Sequence, residues 1–334
     1  MTTPLSVLDL SVLTTDSTTA DALAETTALA RAADQLGYRR FWVAEHHNMR
    51  SVASTSPAVL IAHLAAATRT IRIGSGGVML PNHSPLVVAE QFAMLEALHP
   101  GRIDLGIGRS AGTDPETADV LRRAGDAEFT PALLDVLGLL GDPRVAEGLW
   151  ERFRATPLAA GTPDVMLLGA GESSALLAAE LGLPFVYGLH LKAAGSSLDP
   201  IRVYRDSFIP SLSLKKPYVI VSVSAVVAGT DEEAVRLANP HRLRMLEMVA
   251  GMRTLLLQSP EAAAAHPHLD KAMRLPLSLI TGAPRTVATA LDDLVTATNA
   301  DELMVVTVTH GREEKIRGLT LLAAVWAHAV EAAH

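Results

Sequence analysis

The chain has 334 residues, 49% of them hydrophobic and 19% charged, a composition that can bury a large core and excludes a globally disordered protein. Its formal net charge of −8 argues against a protein that binds the phosphate backbone of nucleic acids. Cysteine is absent, which excludes disulfides, thiolate catalysis and cysteine-ligated zinc.

Short runs typical of β-strands alternate with helical stretches along the whole sequence. In chain order we predict strand 4–11, helix 18–37, strand 40–47, helix 56–69, strand 70–80, helix 85–98, strand 102–109, helices 115–124 and 130–140, strand 164–171, helix 172–182, strands 184–190 and 218–229, a long helical stretch over 231–298, strand 302–310 and helix 313–332. No apolar run approaches the roughly 18 residues of a membrane-spanning helix. No basic residue precedes Arg31, which argues against a signal peptide. We expect a cytoplasmic protein with no membrane partner.

Eight strands separated by helices are what a closed parallel barrel requires. Several of the strands are nearly continuous apolar runs, as expected when both faces of a sheet are covered. No linker rich in proline, glycine or serine marks a domain boundary. The sequence therefore predicts one domain over 1–334, a single (β/α)8 TIM barrel with a long helical insertion between strands 7 and 8. A doubly wound fold of two domains is the structural alternative.

Polar residues collect at the predicted C-terminal ends of seven strands, where such barrels carry their chemistry. The strand ends carry Glu45, His46 and His47; Ser75, Gly76 and Gly77; Arg109 and Ser110; Gly169, Gly171, Glu172 and Ser173; Tyr187 and His190; Ser222 and Ser224; and Thr307, Thr309 and His310. Because the C-terminal ends of all barrel strands meet at one mouth, we expect a functional site there. Glu45 and His190 are assigned to a cofactor site on this ground.

The segment Glu45-His46-His47 continues a strand, so alternation places Glu45 and His47 on one side and His46 on the other. A histidine at a barrel mouth can act as a general base or hydrogen-bond donor near neutral pH, and His46 is the catalytic candidate. The alternative is a pair of buried polar residues that only hold the strand end. A metal site is not expected, because no further ligand cluster has suitable spacing.

Two glycine-rich strand ends follow. In IGSGGVML, Gly76 and Gly77 predict either a bulge that curves the barrel or a close approach of a flat ring, and the pattern alone leaves both open. The run LGIGRSAG resembles a dinucleotide fingerprint, but its spacing is wrong and it lies in the fourth β/α unit. It is better interpreted as a strand end that directs Arg109 at an anion.

The run GAGESS at 169–174 opens a short helix, whose free backbone N–H groups can bind phosphate with help from the Ser173 or Ser174 hydroxyl. An ordinary helix start is the alternative. Neighbouring strand ends would bring this turn beside Arg109, which favours an anion site built by Arg109, Gly171, Ser173 and Ser174.

The remaining histidines, including His83 in a turn and His241 in the return segment, are expected to be structural. Met245, Met248 and Met252 share one helical face, which is typical of a core but could also cover a hydrophobic substrate.

Four stretches of the sequence together resemble a known family. FWVAEHH, IGSGGVMLPNHSPLVVAEQFAMLEALHPGRIDLGIGRS, AAELGLPF and GAPRTVATALDDLVTATNADELMVVTVTH are similar to motifs of the luciferase-like flavin monooxygenases. The likeness is closest to single-gene actinomycete members, some of which tailor aromatic polyketides. It covers most of the chain and is clearest in 1–113 and 164–190.

The resemblance implies a (β/α)8 barrel that uses dioxygen and reduced FMN supplied by a separate flavin reductase. It implies that His46 lies near the reactive edge of the flavin and that the Ser75-Gly76-Gly77 backbone lies under the ring, often with a cis peptide between the glycines. Arg109, with Gly171, Ser173 and Ser174, would hold the phosphate. The substrate would be a small hydrophobic molecule, such as an aromatic polyketide, that is hydroxylated or epoxidised.

The resemblance further implies a homodimer formed through helices 57–68 and 85–98, with Leu60, Leu64, Phe92 and Leu95 in the shared face. Strand 6 departs from the family pattern, which leaves the roles of Tyr187 and His190 open. Three rival functions remain: a deazaflavin-dependent hydride-transfer enzyme on the same barrel, a non-enzymatic flavin-binding protein, and a nicotinamide dehydrogenase.

Overall fold

The computed structural model describes residues 3–121, 126–252 and 256–331. Its strands are β1 (Leu5–Asp9), β2 (Arg40–Val43), β3 (Arg72–Ser75), β4 (Val78–Met79), β5 (Ile103–Gly108), β6 (Asp164–Gly169), β7 (Phe185–Gly188), β8 (Val219–Val227), β9 (Leu279–Gly282) and β10 (Glu302–Thr307). Its helices are α1 (Thr19–Gln35), α2 (Pro57–Ala67), α3 (Pro85–Leu98), α4 (Pro115–Val120), α5 (Asp126–Leu139), α6 (Glu172–Glu180), α7 (Asp199–Ser207), α8 (Asp231–Val249), α9 (Pro260–Ala264), α10 (Leu269–Met273), α11 (Pro284–Thr298) and α12 (Arg312–Glu331).

The predicted (β/α)8 barrel is confirmed. Parallel pairing runs from β1 through β2, β3, β5, β6, β7 and β8 to β10, and β10 pairs with β1 to close the ring. The strand predicted at 70–80 is divided into β3 and β4, which flank a cis peptide between Gly76 and Gly77, as the family resemblance implied. Since β4 also pairs with β5, this strand continues toward the mouth after the break.

The insertion between the seventh and eighth barrel strands differs from the predicted helical stretch. It contains α8, α9, α10 and α11, and it also contains the strand β9, which pairs in parallel with the second half of β8. The structure also has a helix at α7 that the sequence analysis did not predict. Among the described residues, none of the helices is both long enough and apolar enough to cross a bilayer.

Alternation along the strands divides the core into two layers. Phe41 and Val43 of β2 face the surrounding helices, whereas Trp42 faces the barrel interior. The interior is filled by Leu8, Trp42, Met166, Val186, Ile220, Met304 and Val306. The barrel is therefore a packed core, and any ligand site must lie above this layer.

The N-terminal end of the barrel is closed by charged side chains. Arg40 is 2% exposed, and its guanidinium donates to Glu302 at 3.0 and 3.1 Å and to Asp104 at 2.9 Å. Burial opposes the Arg40 charge, but the two carboxylates outweigh it and raise the pKa of Arg40. Trp42 and Tyr218 donate to the same two carboxylates, so this network is saturated by protein groups.

The apolar residues predicted to form the dimer face are mostly internal. Leu64, Phe92 and Leu95 are buried against the barrel, because they lie on the inward faces of α2 and α3, and Leu60 is only partly buried. The apolar side chains that these two helices expose are instead Val59, Val87, Met94 and Leu98, with 47–70% of each accessible.

Candidate active site

The extension of β2 behaves as its alternation predicted. Glu45 is completely buried, and its Oε1 accepts hydrogen bonds from Nε2 of His47 and Nε2 of His83, each at 2.8 Å. Its Oε2 accepts from the Met79 backbone N–H at 3.1 Å. Burial raises the pKa of Glu45, but the hydrogen bonds from His83, His47 and Met79 prevail and the pKa is lowered.

Sequence spacing did not reveal His83 as a partner of Glu45. Glu45, His47 and His83 each offer one atom that could coordinate a metal, and these three atoms lie within 4.8 Å of one another. This spacing could admit a metal ion. Both carboxylate oxygens of Glu45 already accept hydrogen bonds from protein groups. Glu45 therefore ties the extended end of β2 to the segment after β4, and it is placed to position the mouth rather than to contact a ligand.

His46 points to the opposite side, as predicted. Its Nδ1 donates to the Gly112 carbonyl at 3.3 Å, so in the neutral ring Nε2 is the acceptor. Burial lowers the pKa of His46; the Gly112 carbonyl opposes this effect, and the charge of Arg244 adds to it. His46 is therefore neutral near pH 7 and able to accept a proton at Nε2.

His190 lies beside His46 at the mouth. Its Nδ1 is 2.8 Å from the Ser222 hydroxyl of β8. Burial lowers the pKa of His190 to about 4, and a Coulombic contribution from His46 acts in the same direction. The neighbouring Tyr187 is not part of this group, because its ring is fully buried in the helix-facing layer and its hydroxyl donates to the Ser197 carbonyl.

The glycine pair lies at the bend between β3 and β4. A Cβ on Gly76 would come within 2.7 Å of Leu8 Cδ1, and one on Gly77 within 2.8 Å of the Gly106 carbonyl oxygen. Packing of the barrel wall thus accounts for both glycines without a ligand. Ser75 is also turned to the wall, since its hydroxyl donates to the Gly106 carbonyl at 2.9 Å.

Arg109 and the start of α6 lie side by side. Arg109 Nη1 donates to the Ser173 hydroxyl at 3.4 Å. The first backbone bond of α6 runs from Ala175 N–H to the Gly171 carbonyl, so the N–H groups of 172–174 have no acceptor within the helix. Glu172 is exposed to solvent. The predicted pairing of a guanidinium with a helix N-terminus is therefore present and suits an anion.

Ser174 is packed against a neighbouring residue in this turn, whereas Gly171 borders open space. Ser174 packs against Gly169, where an added Cβ would be 2.3 Å from the Ser174 Cβ. A Cβ on Gly171 would meet nothing within 4 Å, so the backbone at the helix start is open to a ligand.

Sequence reasoning missed a group of basic residues on α8. Arg244 Nη2 donates to the Ser51 hydroxyl, in the loop after β2, at 3.4 Å. Burial, together with the charges of Arg244 and Arg242 and the proximity of His190, lowers the pKa of His241 to about 3. The insertion thus brings two guanidiniums to the mouth, a placement that no local pattern in the sequence indicates.

A surface groove of about 450 Å³ lies elsewhere, between α8, α9 and the start of α12. Its lining includes Arg236, Glu261 and His310, and none of the residues predicted to bind a cofactor. The polar group at the mouth, and not this groove, carries the functional argument.

Comparison with known proteins agrees with this architecture. The family model for luciferase-like monooxygenases matches residues 3–302. A protein of Escherichia coli (strain K12) named luciferase-like monooxygenase is 39% identical over 310 residues, which cover 91% of each chain. A Bacillus subtilis (strain 168) relative named N-acetyl-S-alkylcysteine monooxygenase is 39% identical over 233 residues, 69% of each chain.

Among solved structures, the crystal structure of apo-MsnO8 matches with a TM-score of 0.89 and 36% identity, and the match covers 98% of both chains. The matches span nearly the whole barrel, and they confirm the resemblance that the strand-end motifs indicated. The chain belongs to the luciferase-like monooxygenase family, a family of oxidoreductases.

Proposed function

We propose that this protein is an FMN-dependent monooxygenase that receives reduced FMN from a separate flavin reductase and uses dioxygen to hydroxylate or epoxidise a substrate with a hydrophobic body. The observation that carries the proposal is the adjacency of Arg109 and the N-terminus of α6 at the barrel mouth. Neither group alone would identify a cofactor. Together they offer a positive charge and free backbone N–H groups to one phosphate.

The residues present fit FMN in two further respects. Gly171 leaves the helix start open, so a phosphate can reach the backbone N–H groups without meeting a side chain. The bend at Gly76 and Gly77 lies on the neighbouring part of the rim, where a planar ring attached to that phosphate can rest against backbone. The packing of these glycines does not depend on the ring, so the phosphate site carries the argument.

His46 is the residue proposed to handle a proton. Its Nδ1–H is committed to Gly112, which holds the ring in one orientation, and its lowered pKa keeps Nε2 available as an acceptor at neutral pH. Glu45 supports it indirectly by fixing the end of β2. When bound, reduced FMN would supply the electrons needed to activate dioxygen.

The substrate is proposed to enter beneath α8. Met245 and Met248 lie one and four positions after Arg244, so they share the face of α8 that carries His241 and Arg244. Apolar side chains there would exclude water from the reacting groups. An aromatic, polyketide-like body suits such a surface. The Bacillus subtilis relative is named for a different kind of substrate, an N-acetyl-S-alkylcysteine.

The protein is also proposed to act as a homodimer in the cytoplasm. The exposed Val59, Val87, Met94 and Leu98 of α2 and α3 provide an apolar face that a second copy could cover.

The experiment is a set of anaerobic binding titrations with reduced FMN, reduced riboflavin, the deazaflavin F420 and NADH, followed by oxygen-uptake measurements over a panel of hydrophobic substrates. We expect FMN to bind at least tenfold more tightly than riboflavin, and oxygen uptake to rise with a substrate. Tighter binding of F420 with no oxygen uptake would favour the hydride-transfer alternative. FMN binding without substrate-dependent oxygen uptake would favour a non-enzymatic flavin-binding protein. Binding of NADH without binding of any flavin would favour a nicotinamide dehydrogenase.

A further inference from the structure

We propose that the substrate carries an oxyanion, such as a carboxylate, and that it is bound by the two guanidiniums of the cluster Arg242, Arg244, His241 and His190. This inference rests on the proposed function, since it names the substrate class of the same mouth. The cluster is separate from the pair Arg109 and Ser173, which is assigned to the cofactor phosphate.

The cluster is assembled from three parts of the fold. His241, Arg242 and Arg244 come from α8 in the insertion, and His190 follows β7. Arg244 reaches the loop after β2 through its contact with Ser51. These elements are far apart in sequence and converge beside His46.

The members of the cluster also influence one another electrostatically. The charges of Arg242 and Arg244 both lower the pKa of His241, and Arg244 also lowers the pKa of His46. His190 acts on His241, and His46 acts on His190. Arg244 and His190 are therefore the members that act beside the proposed proton-handling residue.

What distinguishes the cluster is the absence of a counter-charge within the described part of the chain. There, Arg242 makes no hydrogen bond or ion pair, and its Nε is buried without an acceptor. Arg244 has the Ser51 hydroxyl and no carboxylate as a partner in those same ranges. The neighbouring imidazoles cannot supply negative charge in either protonation state.

Two other arginines that are at least partly buried have several hydrogen-bond acceptors within the protein. Arg40 is held by two carboxylates, and Arg102 donates to the backbone carbonyls of Ile71, Ala65 and Thr68. Burial lowers the pKa of both Arg242 and Arg244, which shows that their charges lie in surroundings that disfavour them. An oxyanion would satisfy these donors, and the planar guanidinium fork is suited to bind two oxygens of one carboxylate.

The position of the cluster implies that the anionic group orients the substrate for the reaction. An anionic end held by Arg244, with Arg242 of the same helix adding positive charge, would orient the remainder of the substrate along the face of α8 that carries Met245 and Met248. The reacting part would then lie close to His46. Binding energy at the anionic end would thus be used to position the apolar part.

The test uses matched acid and amide probes on the full-length protein: hexanoate and hexanamide, 4-phenylbutyrate and 4-phenylbutyramide, and 1-naphthoate and 1-naphthamide. Dissociation constants are measured by calorimetry with and without FMN, at constant ionic strength. We expect at least one acid to bind tenfold or more tightly than its amide. Arg242→Gln and Arg244→Gln should each reduce this preference to less than threefold, and Arg244→Lys should restore part of it.

Arg236→Gln is the matched control, because Arg236 lies on the same helix but pairs with Glu261 at the surface. It should retain the full preference for the acid. Unfolding temperatures of all variants identify any that fail to fold, and Arg244→Lys then carries the comparison. The proposal is overturned if no acid binds more tightly than its amide, or if the preference survives in both glutamine variants.

Two further outcomes separate this inference from the proposed function. If the glutamine variants lose FMN but keep riboflavin, the cluster binds the cofactor phosphate and the substrate assignment is wrong. If the wild type prefers acids but never binds FMN, the anion site stands and the flavin-dependent reaction fails.

Discussion

The guanidinium of Arg109 donates to the hydroxyl of Ser173 at 3.4 Å, although the two residues follow different strands and are separated by 64 positions. Strands β5 and β6 are neighbours in the barrel, and their C-terminal ends bring both residues to one part of the rim. The contact places a fixed positive charge against a helix N-terminus, an arrangement that favours an anion at this part of the rim.

Arg109→Ala should therefore weaken FMN binding by about 10- to 100-fold, since hydrogen bonds to charged groups contribute roughly 1.5–3 kcal/mol. Riboflavin has no phosphate, and its affinity should change less than threefold. Fluorescence titration with both flavins measures the effect, and Arg202→Ala, an exposed residue of α7, is the control. Equal losses for FMN and riboflavin would contradict a phosphate role.

His46→Ala should leave FMN binding within about threefold and slow substrate-dependent oxygen uptake by roughly 10²- to 10⁴-fold, the usual contribution of a positioned acid or base. Because the pKa of His46 is lowered, the neutral ring persists below pH 6.5 in the wild type. Wild-type activity should decline only at more acidic pH, as His46 becomes protonated. Unchanged turnover in the alanine variant would remove His46 from the reaction.

Glu45→Gln should destabilise the fold by about 1–3 kcal/mol at pH 7, because a charged acceptor of three hydrogen bonds is lost. The folded pKa of Glu45 is below its unfolded value, so the unfolded state binds more protons as the pH falls. Its stabilising contribution is complete above pH 4.5 and is lost on acidification. Urea unfolding at pH 4, 5 and 7 should show a smaller pH dependence in Glu45→Gln than in Glu172→Gln, the exposed control.

Arg40→Met should destabilise the protein by roughly 3–5 kcal/mol, because Asp104 and Glu302 would keep buried charges without their central partner. Arg39→Met is the matched control, since Arg39 is half exposed and contacts Glu302 only from the surface. FMN affinity of the folded Arg40→Met protein should be unchanged, because this network lies at the opposite end of the barrel from the mouth. A selective loss of FMN would show coupling between the two ends.

Val59→Asp combined with Met94→Asp should convert the proposed homodimer to a monomer, because both substitutions place a charge in the apolar face of α2 and α3. Light scattering after size-exclusion chromatography measures the mass. Leu212→Asp, at a side chain that is 87% exposed in a loop, should leave the mass unchanged. A monomeric wild type would disprove the dimer directly.

Much of the barrel could be predicted from the sequence, because its strands are buried on both faces and read as apolar runs separated by helical periodicity. The strand β9 was missed for the opposite reason. It has four residues, and three of them are only partly buried, so no apolar run distinguishes it from the helices on either side. The pairing with β8 that makes it a strand is a non-local contact.

The candidate site was predictable only where strand ends converge by topology. Arg109 and Ser173 were paired in this way, and the alternation of Glu45, His46 and His47 fixed their directions. The partnership of His83 with Glu45 depends on how a turn folds back over the mouth, and the position of Arg244 beside His46 depends on the path of the long insertion. Local pattern carries no information about either path.

Among the described residues, the backbone of the insertion is hydrogen bonded to the barrel through β9 along β8 and through the bridges Thr14–Leu257 and Ala193–Leu277. Exchanging this region between relatives is therefore a natural route to new selectivity, provided that the transplanted piece extends from Thr230 through Gly282. A junction placed at the end of α8 would import the arginines but discard β9, the strand that pairs the insertion with β8. Such hybrids should fold as barrels and still fail to recognise the donor's ligands.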